Sequence, residues 1–256
     1  MASYPLSTIA LAALLAWVAP PAGAAPADGA PAKRRVLLLG DSISIGYTSV
    51  VQEALRDAAV VVRPTTGPGK AENCEGTTKG AKEVRRWLAL EGGDWDVIHF
   101  NFGLHDLKRV DPKTGKSSDK VEDPRQAEPE AFEKQLQEIV AALKETKAKL
   151  VFATTTPVPA GRLSPYRDPE DVARYNAIAR KVVEAQGVAV NDLYALVLPR
   201  LKEIQLPQNV HFKAEGSRLL GAEVARCVRQ AAGLPPAPDA TAPKPEGGGV
   251  PPPKSP

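Results

Sequence analysis

Four consecutive apolar residues, Val36-Leu37-Leu38-Leu39, end abruptly at Gly40-Asp41-Ser42, and this junction restricts the fold more than any other stretch of the chain. An uninterrupted apolar run of this length suits a strand covered on both faces, as in a parallel sheet flanked by helices. The residues that follow place Ile45, Val50 or Val51, Leu55 and Ala58 at roughly helical spacing, so Asp41 and Ser42 stand where a strand hands over to a helix. In open α/β sheets, ligands bind at that edge, where strand ends and helix N-termini converge. Ser42 is therefore a candidate nucleophile. The alternative is that Asp41 and Ser42 only cap the helix.

The rest of the chain alternates strand and helix, the signature of a doubly wound α/β sheet. Strands are expected at residues 60–63, 95–102, 150–155 and 188–191, and helices at 78–90, 129–147, around Val172 to Val183, at 193–204 and at 214–232. Phe132, Leu136, Ile139, Val140 and Leu143 mark one apolar helix face, with Pro129 near its start. Two connections are longer than such a fold requires, residues 106–128 and 157–168, and the second brings Arg162 and Tyr166 to the same sheet edge. Each either shapes a substrate site or is a solvated excursion.

The two ends read differently. Residues 6–18 are mostly apolar, too short to span a bilayer comfortably, and are followed by Pro20-Pro21 and Ala22-Gly23-Ala24, a small-residue cleavage pattern. Residues 1–24 are expected to be a signal peptide, 25–34 a linker, 35–233 the folded domain and 234–256 a disordered Pro/Gly-rich tail. The mature chain would then be secreted or periplasmic, with no stable membrane insertion. Aromatics are 5% of the residues, the formal net charge is +3, and no basic block is interleaved with aromatics, which argues against nucleic acid as a partner.

Four short motifs occur in order: Gly40-Asp41-Ser42 after the first strand, Asn73-Cys74-Glu75-Gly76-Thr77-Thr78, Gly103-Leu104-His105-Asp106 after the third strand, and Val210-His211-Phe212 before the last helix. Together they resemble the ordered blocks of the SGNH, or GDSL-type, hydrolases, over about Arg35 to Gly233. The resemblance implies an α/β, flavodoxin-like three-layer α/β/α sandwich with a five-stranded parallel sheet, and a serine esterase mechanism without metal or organic cofactor. It implies an oxyanion hole from the backbone N–H groups of Ser42 and Gly76 and a side chain at the position of His105, where the family has asparagine. Neutral histidine can also donate one N–H.

The chemistry can be argued separately. A serine hydroxyl needs a base within hydrogen-bond reach, and His211 is the obvious one; His99 lies within a strand and is expected to be structural. Where the family has an aspartate three residues before the histidine, this chain has Gln208, followed by Asn209. An amide oxygen can hold the imidazole tautomer but adds no charge to support the imidazolium. His211 could be oriented by Gln208, by Asn209 or by Asp192 from beyond the fifth strand, or could act with Ser42 as a dyad; Asp192 also reads as a helix cap.

Asp41, Asn73, Asp106 and Arg162 are candidate substrate contacts, although Asp106 is also suited to hold its loop. Lys70, Glu72, Arg109, Arg162 and Tyr166, with no long apolar run beside them, favour a polar small-molecule or polysaccharide ester such as an O-acetylated carbohydrate. A lipase or lysophospholipase activity is the alternative within the family, and a non-catalytic carbohydrate-binding module is the alternative outside it. Cys74 and Cys227 fall on segments that lead away from each other, so their pairing is not expected.

Overall fold

β1 (Arg34–Leu39) is the strand that the apolar run predicts, and Val36, Leu37, Leu38 and Leu39 are each no more than 1% exposed. The computed structural model describes residues 32–161 and 163–237. The expected signal peptide, linker residues 25–31, tail residues 238–256 and Arg162 lie outside the described residues.

β1 pairs in parallel with β2 (Ala59–Val62) on one side and with β5 (Val97–Phe100) on the other; β6 (Lys149–Ala153) and β7 (Ala189–Asn191) continue the sheet in the order β2-β1-β5-β6-β7. This is the five-stranded parallel, flavodoxin-like sheet that the sequence implies. A short antiparallel ribbon, β3 (Thr65–Gly67) with β4 (Lys70–Ala71), interrupts the way from β2 to the next helix.

Helices cover both faces because residues along each central strand alternate between two apolar layers. Val36, Leu38, Val97 and Val151 pack with α1 (Ser42–Leu55) and α7 (Ala214–Ala231). Leu37, Leu39, Ile98, Phe100 and Phe152 pack with α2 (Thr77–Leu88), α3 (Pro129–Lys144) and α4 (Pro169–Ala185). Pro129 and Pro169 each stand in the first turn of a helix, where a missing N–H costs nothing. The expected single helix over 193–204 is instead α5 (Leu193–Val197), a 3₁₀ turn at Leu198–Arg200 and α6 (Leu201–Ile204). Pro199 lacks the N–H that a continuous helix would use, which accounts for the break.

The switch in strand order falls at β1 and β5, where consecutive connections leave on opposite faces. The carboxyl ends of these strands therefore diverge into a crevice, with the first, second and third motifs along it. Residues 106–128 are no loose excursion. Arg109 N donates to Tyr166 O at 3.0 Å and Tyr166 N to Ser118 O at 3.0 Å, while the Arg125 guanidinium makes a two-point contact with Asp171 at 2.6 and 2.7 Å. The Arg109 guanidinium lies 5.8 Å from the centre of the Tyr166 ring. The two long connections thus brace each other.

Candidate active site

The local turn at Ser42 follows from its neighbours. Asp41 caps α1 by accepting from Ile43 N at 2.9 Å, which leaves the Ser42 side chain outside the cap. Gly40 is needed for close approach, since a Cβ there would lie 2.7 Å from Ser44 Cβ. Buried Arg63 ties the region together: Nη2 donates to Gly40 O at 3.3 Å and Glu72 O at 3.0 Å, and Nη1 donates to Ser44 Oγ at 3.2 Å and Thr48 Oγ1 at 2.7 Å. Cys74 N also donates to Gly40 O, at 3.1 Å, so the second motif is pinned to the first.

His211 reaches Ser42 from the other side of the crevice. Its loop is closed by hydrogen bonds from Leu206 N to His211 O at 2.9 Å and from Lys213 N to Ile204 O at 2.8 Å. Gln205 Nε2 donates across to Pro157 O at 2.9 Å, fixing the loop to the segment after β6. His211 Nε2 stands 2.7 Å from Ser42 Oγ, and His211 Nδ1 stands 2.7 Å from Asn209 Oδ1. Asn209 Oδ1 also accepts from His211 N at 3.0 Å, a local turn that holds the amide oxygen beside the ring. An acceptor at Nδ1 favours the tautomer with the proton there and leaves the Nε2 lone pair directed at the serine hydroxyl.

Of the possible orienters, the structure therefore brings Asn209 to His211 and not Gln208, whose backbone is in the left-handed region at φ 49° and whose side chain makes no recorded bond to the ring. Asp192 is also excluded. Its Oδ1 caps α5 through Ala195 N at 3.2 Å and accepts from Thr154 Oγ1 at 2.9 Å, and its Oδ2 pairs with Arg180.

Donors for a developing oxyanion lie alongside. Ser42 N and Gly76 N belong to the N-termini of α1 and α2, and neither meets an acceptor among the described residues. His105 lines the same cavity; burial, reinforced by nearby Lys108, Arg167 and Lys79, pushes its pKa down to about 3, so the ring is neutral. Its Nδ1 is buried without a partner. A bare lone pair is better tolerated there than an orphan N–H, which favours the tautomer with the proton on Nε2.

The other candidate contacts divide. Asn73 lines the cavity, with Oδ1 accepting from Glu75 N at 2.8 Å. Asp106 does not contact the cavity: it is fully buried, and Oδ1 accepts from Thr77 N at 2.8 Å and Thr77 Oγ1 at 2.6 Å. It holds the start of α2, and a Cβ at Gly76 would come within 2.8 Å of its carboxylate oxygens. Asp41 is likewise turned inward as the helix cap, 2% exposed, and is not a substrate contact. Glu72 faces Arg86 and Lys79. Cys74 and Cys227 are both free thiols, and burial pushes the Cys74 thiol up to about 11. His99 is buried against Asn191, as a structural histidine would be.

The cavity beside Ser42 has a volume of about 310 Å³. Besides the motif residues, its wall includes Leu163, Pro165 and Arg167, none of which stood out in the sequence. The arrangement can deprotonate a hydroxyl and receive a carbonyl carbon next to it, with Ser42 N, Gly76 N and His105 as the candidate donors to the oxygen, which is what acyl transfer requires. Replacing His105 with alanine is expected to lower kcat by about 10²-fold with a smaller change in KM, as loss of one oxyanion donor does. Steady-state kinetics on an acetyl ester tests this, and an equal loss confined to KM would assign His105 to ground-state binding instead.

Comparisons with known proteins bear on the family and the fold. The model of the GDSL-like lipase/acylhydrolase family matches residues 38–219. No curated protein matches the sequence. Among solved structures, the chain is similar to a lipase/acylhydrolase from Enterococcus faecalis, at 21% identity and a TM-score of 0.61, covering 80% of this chain and 100% of that one. It is also similar to the acetyl xylan esterase AlAXEase, at 17% identity and a TM-score of 0.57, covering 76% of this chain and 99% of that one. A catalytic mutant of an acetylxylan esterase from Geobacillus stearothermophilus is similar at 12% identity and a TM-score of 0.56, covering 79% and 95% of the two chains.

Proposed function

Because the chain belongs to the GDSL-like lipase/acylhydrolase family and is an ester hydrolase of that type, we propose that it is an exported serine esterase removing a short acyl group from a polar alcohol, such as an O-acetylated carbohydrate. The observation that carries the mechanism is the continuous chain of contacts from Asn209 Oδ1 through His211 to Ser42 Oγ, at 2.7 Å for each step.

In this reading Ser42 Oγ attacks the ester carbonyl as its proton passes to His211 Nε2. The negative charge on the carbonyl oxygen is met by the N–H groups of Ser42, Gly76 and His105. His211 then returns the proton to the departing alcohol, leaving an acyl group on Ser42. A water, deprotonated by the same nitrogen, releases the acid and restores the hydroxyl.

The size of the acyl group is argued from the cavity. Eight of the twelve residues that line it are polar, Leu104, Leu163, Pro165 and Val210 being the others, and a volume of about 310 Å³ suits a short acyl group better than a long chain. Two of the structurally similar proteins are acetyl xylan esterases by name, one of them a catalytic mutant, which supports the same choice of substrate class. Export rests on the apolar segment at residues 6–18 and the small residues after it.

Covalent labelling by a fluorophosphonate tests the proposal. The mature chain should gain one adduct by intact mass, and Ser42→Ala should gain none. Failure of the folded wild-type chain to react would instead favour a non-catalytic carbohydrate-binding module. Turnover of long-chain esters in preference to acetyl esters would favour a lipase.

A further inference from the structure

The segment between β6 and α4 sets one permanent cation into the wall of the cavity beside Ser42. Arg167 precedes Asp168, which caps α4 by accepting from Glu170 N at 3.0 Å, so the backbone at Arg167 is held by the start of a helix. The side chain is 6% exposed. Its Nε donates to Leu104 O at 2.8 Å and its Nη1 to Pro165 O at 3.3 Å. Those two bonds use two of the five N–H groups of a guanidinium, and Nη2 meets no acceptor among the described residues. Nη2 is therefore unused and Nη1 keeps a second N–H, on a residue that lines the cavity.

A buried cation with unused donors is unfavourable unless something offsets it. The carboxylate whose charge acts on Arg167 is Asp41, which is itself buried and already accepts from Ile43 N. No carboxylate side chain lines the cavity among the described residues. Lys108 and Lys79 stand near His105, and Lys79 is met by Glu72 at 3.3 Å and by Glu75 at 3.4 Å. Among the described residues Arg167 is therefore the only lysine, arginine or carboxylate side chain in the cavity wall, and its planar guanidinium offers N–H groups that match carboxylate oxygens.

We infer that Arg167 binds a carboxylate carried by the ester substrate, so that this esterase selects anionic esters, with Arg167 as the specificity-determining residue. The inference rests on the esterase reading above. The carboxylate can sit on the alcohol, as in an acetylated sugar acid, or on the acyl group, as in the half-ester of a dicarboxylic acid; the guanidinium edge is the same for both.

Two substrate pairs distinguish these sources, each pairing a carboxylate with its neutral amide: 4-acetoxybenzoate with 4-acetoxybenzamide, and the 4-nitrophenyl half-ester of succinic acid with that of succinamic acid. The quantity read is the ratio of kcat/KM within a pair, so a general loss of activity in a variant cancels. The wild-type ratio should favour the carboxylate at least about tenfold in one pair, and should shrink as salt is added. Arg167→Gln should bring it to about one, and Arg167→Lys should retain part of it. A wild-type ratio near or below one in both pairs overturns the inference, as does a preference that survives in Arg167→Gln; if that variant does not fold, the wild-type ratio and Arg167→Lys decide. Labelling of Ser42 by a fluorophosphonate without turnover of any of the four esters would refute the selectivity and leave the esterase reading standing. No labelling and no turnover would remove both.

Discussion

Replacement of His211 by alanine is expected to lower kcat/KM for an acetyl ester by about 10⁴-fold or more, and combining it with Ser42→Ala should cost no more than the worse single change. The two side chains act as one unit, because Nε2 at 2.7 Å is the base for the proton that Ser42 Oγ must lose. The residue behind them is expected to behave differently. Asn209 is exposed, and its amide oxygen orients the ring without supplying charge. Asn209→Ala should therefore lower kcat/KM by only about tenfold, whereas Asn209→Asp should raise it by about fivefold, the worth of an exposed charge-assisted bond to the imidazolium formed during reaction. Steady-state kinetics of the four single variants and the double variant checks this. An Asn209→Asp enzyme slower than wild type would mean that the neutral amide is itself required, for instance to keep His211 mobile between acylation and deacylation.

Much of this site could be read before any coordinates, and the reason is local. Val36 to Leu39 can be buried on both faces only in a covered parallel strand, and Gly40-Asp41-Ser42 then has to stand at a strand-to-helix turn, where Ser42 is found. Side-chain direction at the turns was less legible. Asp41 and Asp106 share the sheet edge with the cavity, but each is turned inward, one by Ile43 N and the other by Thr77. Gln208 and Asn209 were equivalent in sequence; the left-handed backbone at Gln208 and the turn closed by Asn209 Oδ1 on His211 N separated them. Asp192 was drawn away by Arg180, a partner from α4 that adjacency in the chain does not show. Arg167 had no motif to mark it. Its place depends on where the 157–168 segment folds back, and that is set by long-range bonds such as Gln205 Nε2 to Pro157 O and Arg109 N to Tyr166 O.

Asp106→Asn is expected to change the response of stability to pH by about 3 kcal/mol between pH 4 and 7, and His99→Gln to change it by a similar amount in the opposite direction. Burial raises the Asp106 carboxyl from its ordinary 3.8 to about 6, so over that interval the folded chain holds a proton that the unfolded chain has lost, and stability from this group falls as pH rises. Burial lowers His99 from 6.5 to about 4, so the unfolded chain holds the extra proton and stability from this group rises with pH. The two windows overlap and the two slopes are of opposite sign, so in the wild type they largely cancel. Asp106→Asn keeps an oxygen for Thr77 N and removes the falling slope, leaving a chain whose urea midpoint climbs with pH relative to wild type. His99→Gln removes the rising slope and should give a midpoint that declines, and the double variant should return to the wild-type profile. A carboxylate held low by ion pairs away from both sites, such as Glu72 with Arg86 and Lys79, contributes equally to all four chains and drops out of the comparison. Identical pH profiles for all four would show that neither buried group changes its protonation differently on unfolding, and that the polar contacts of Thr77 and Asn191 already offset the burial of Asp106 and His99.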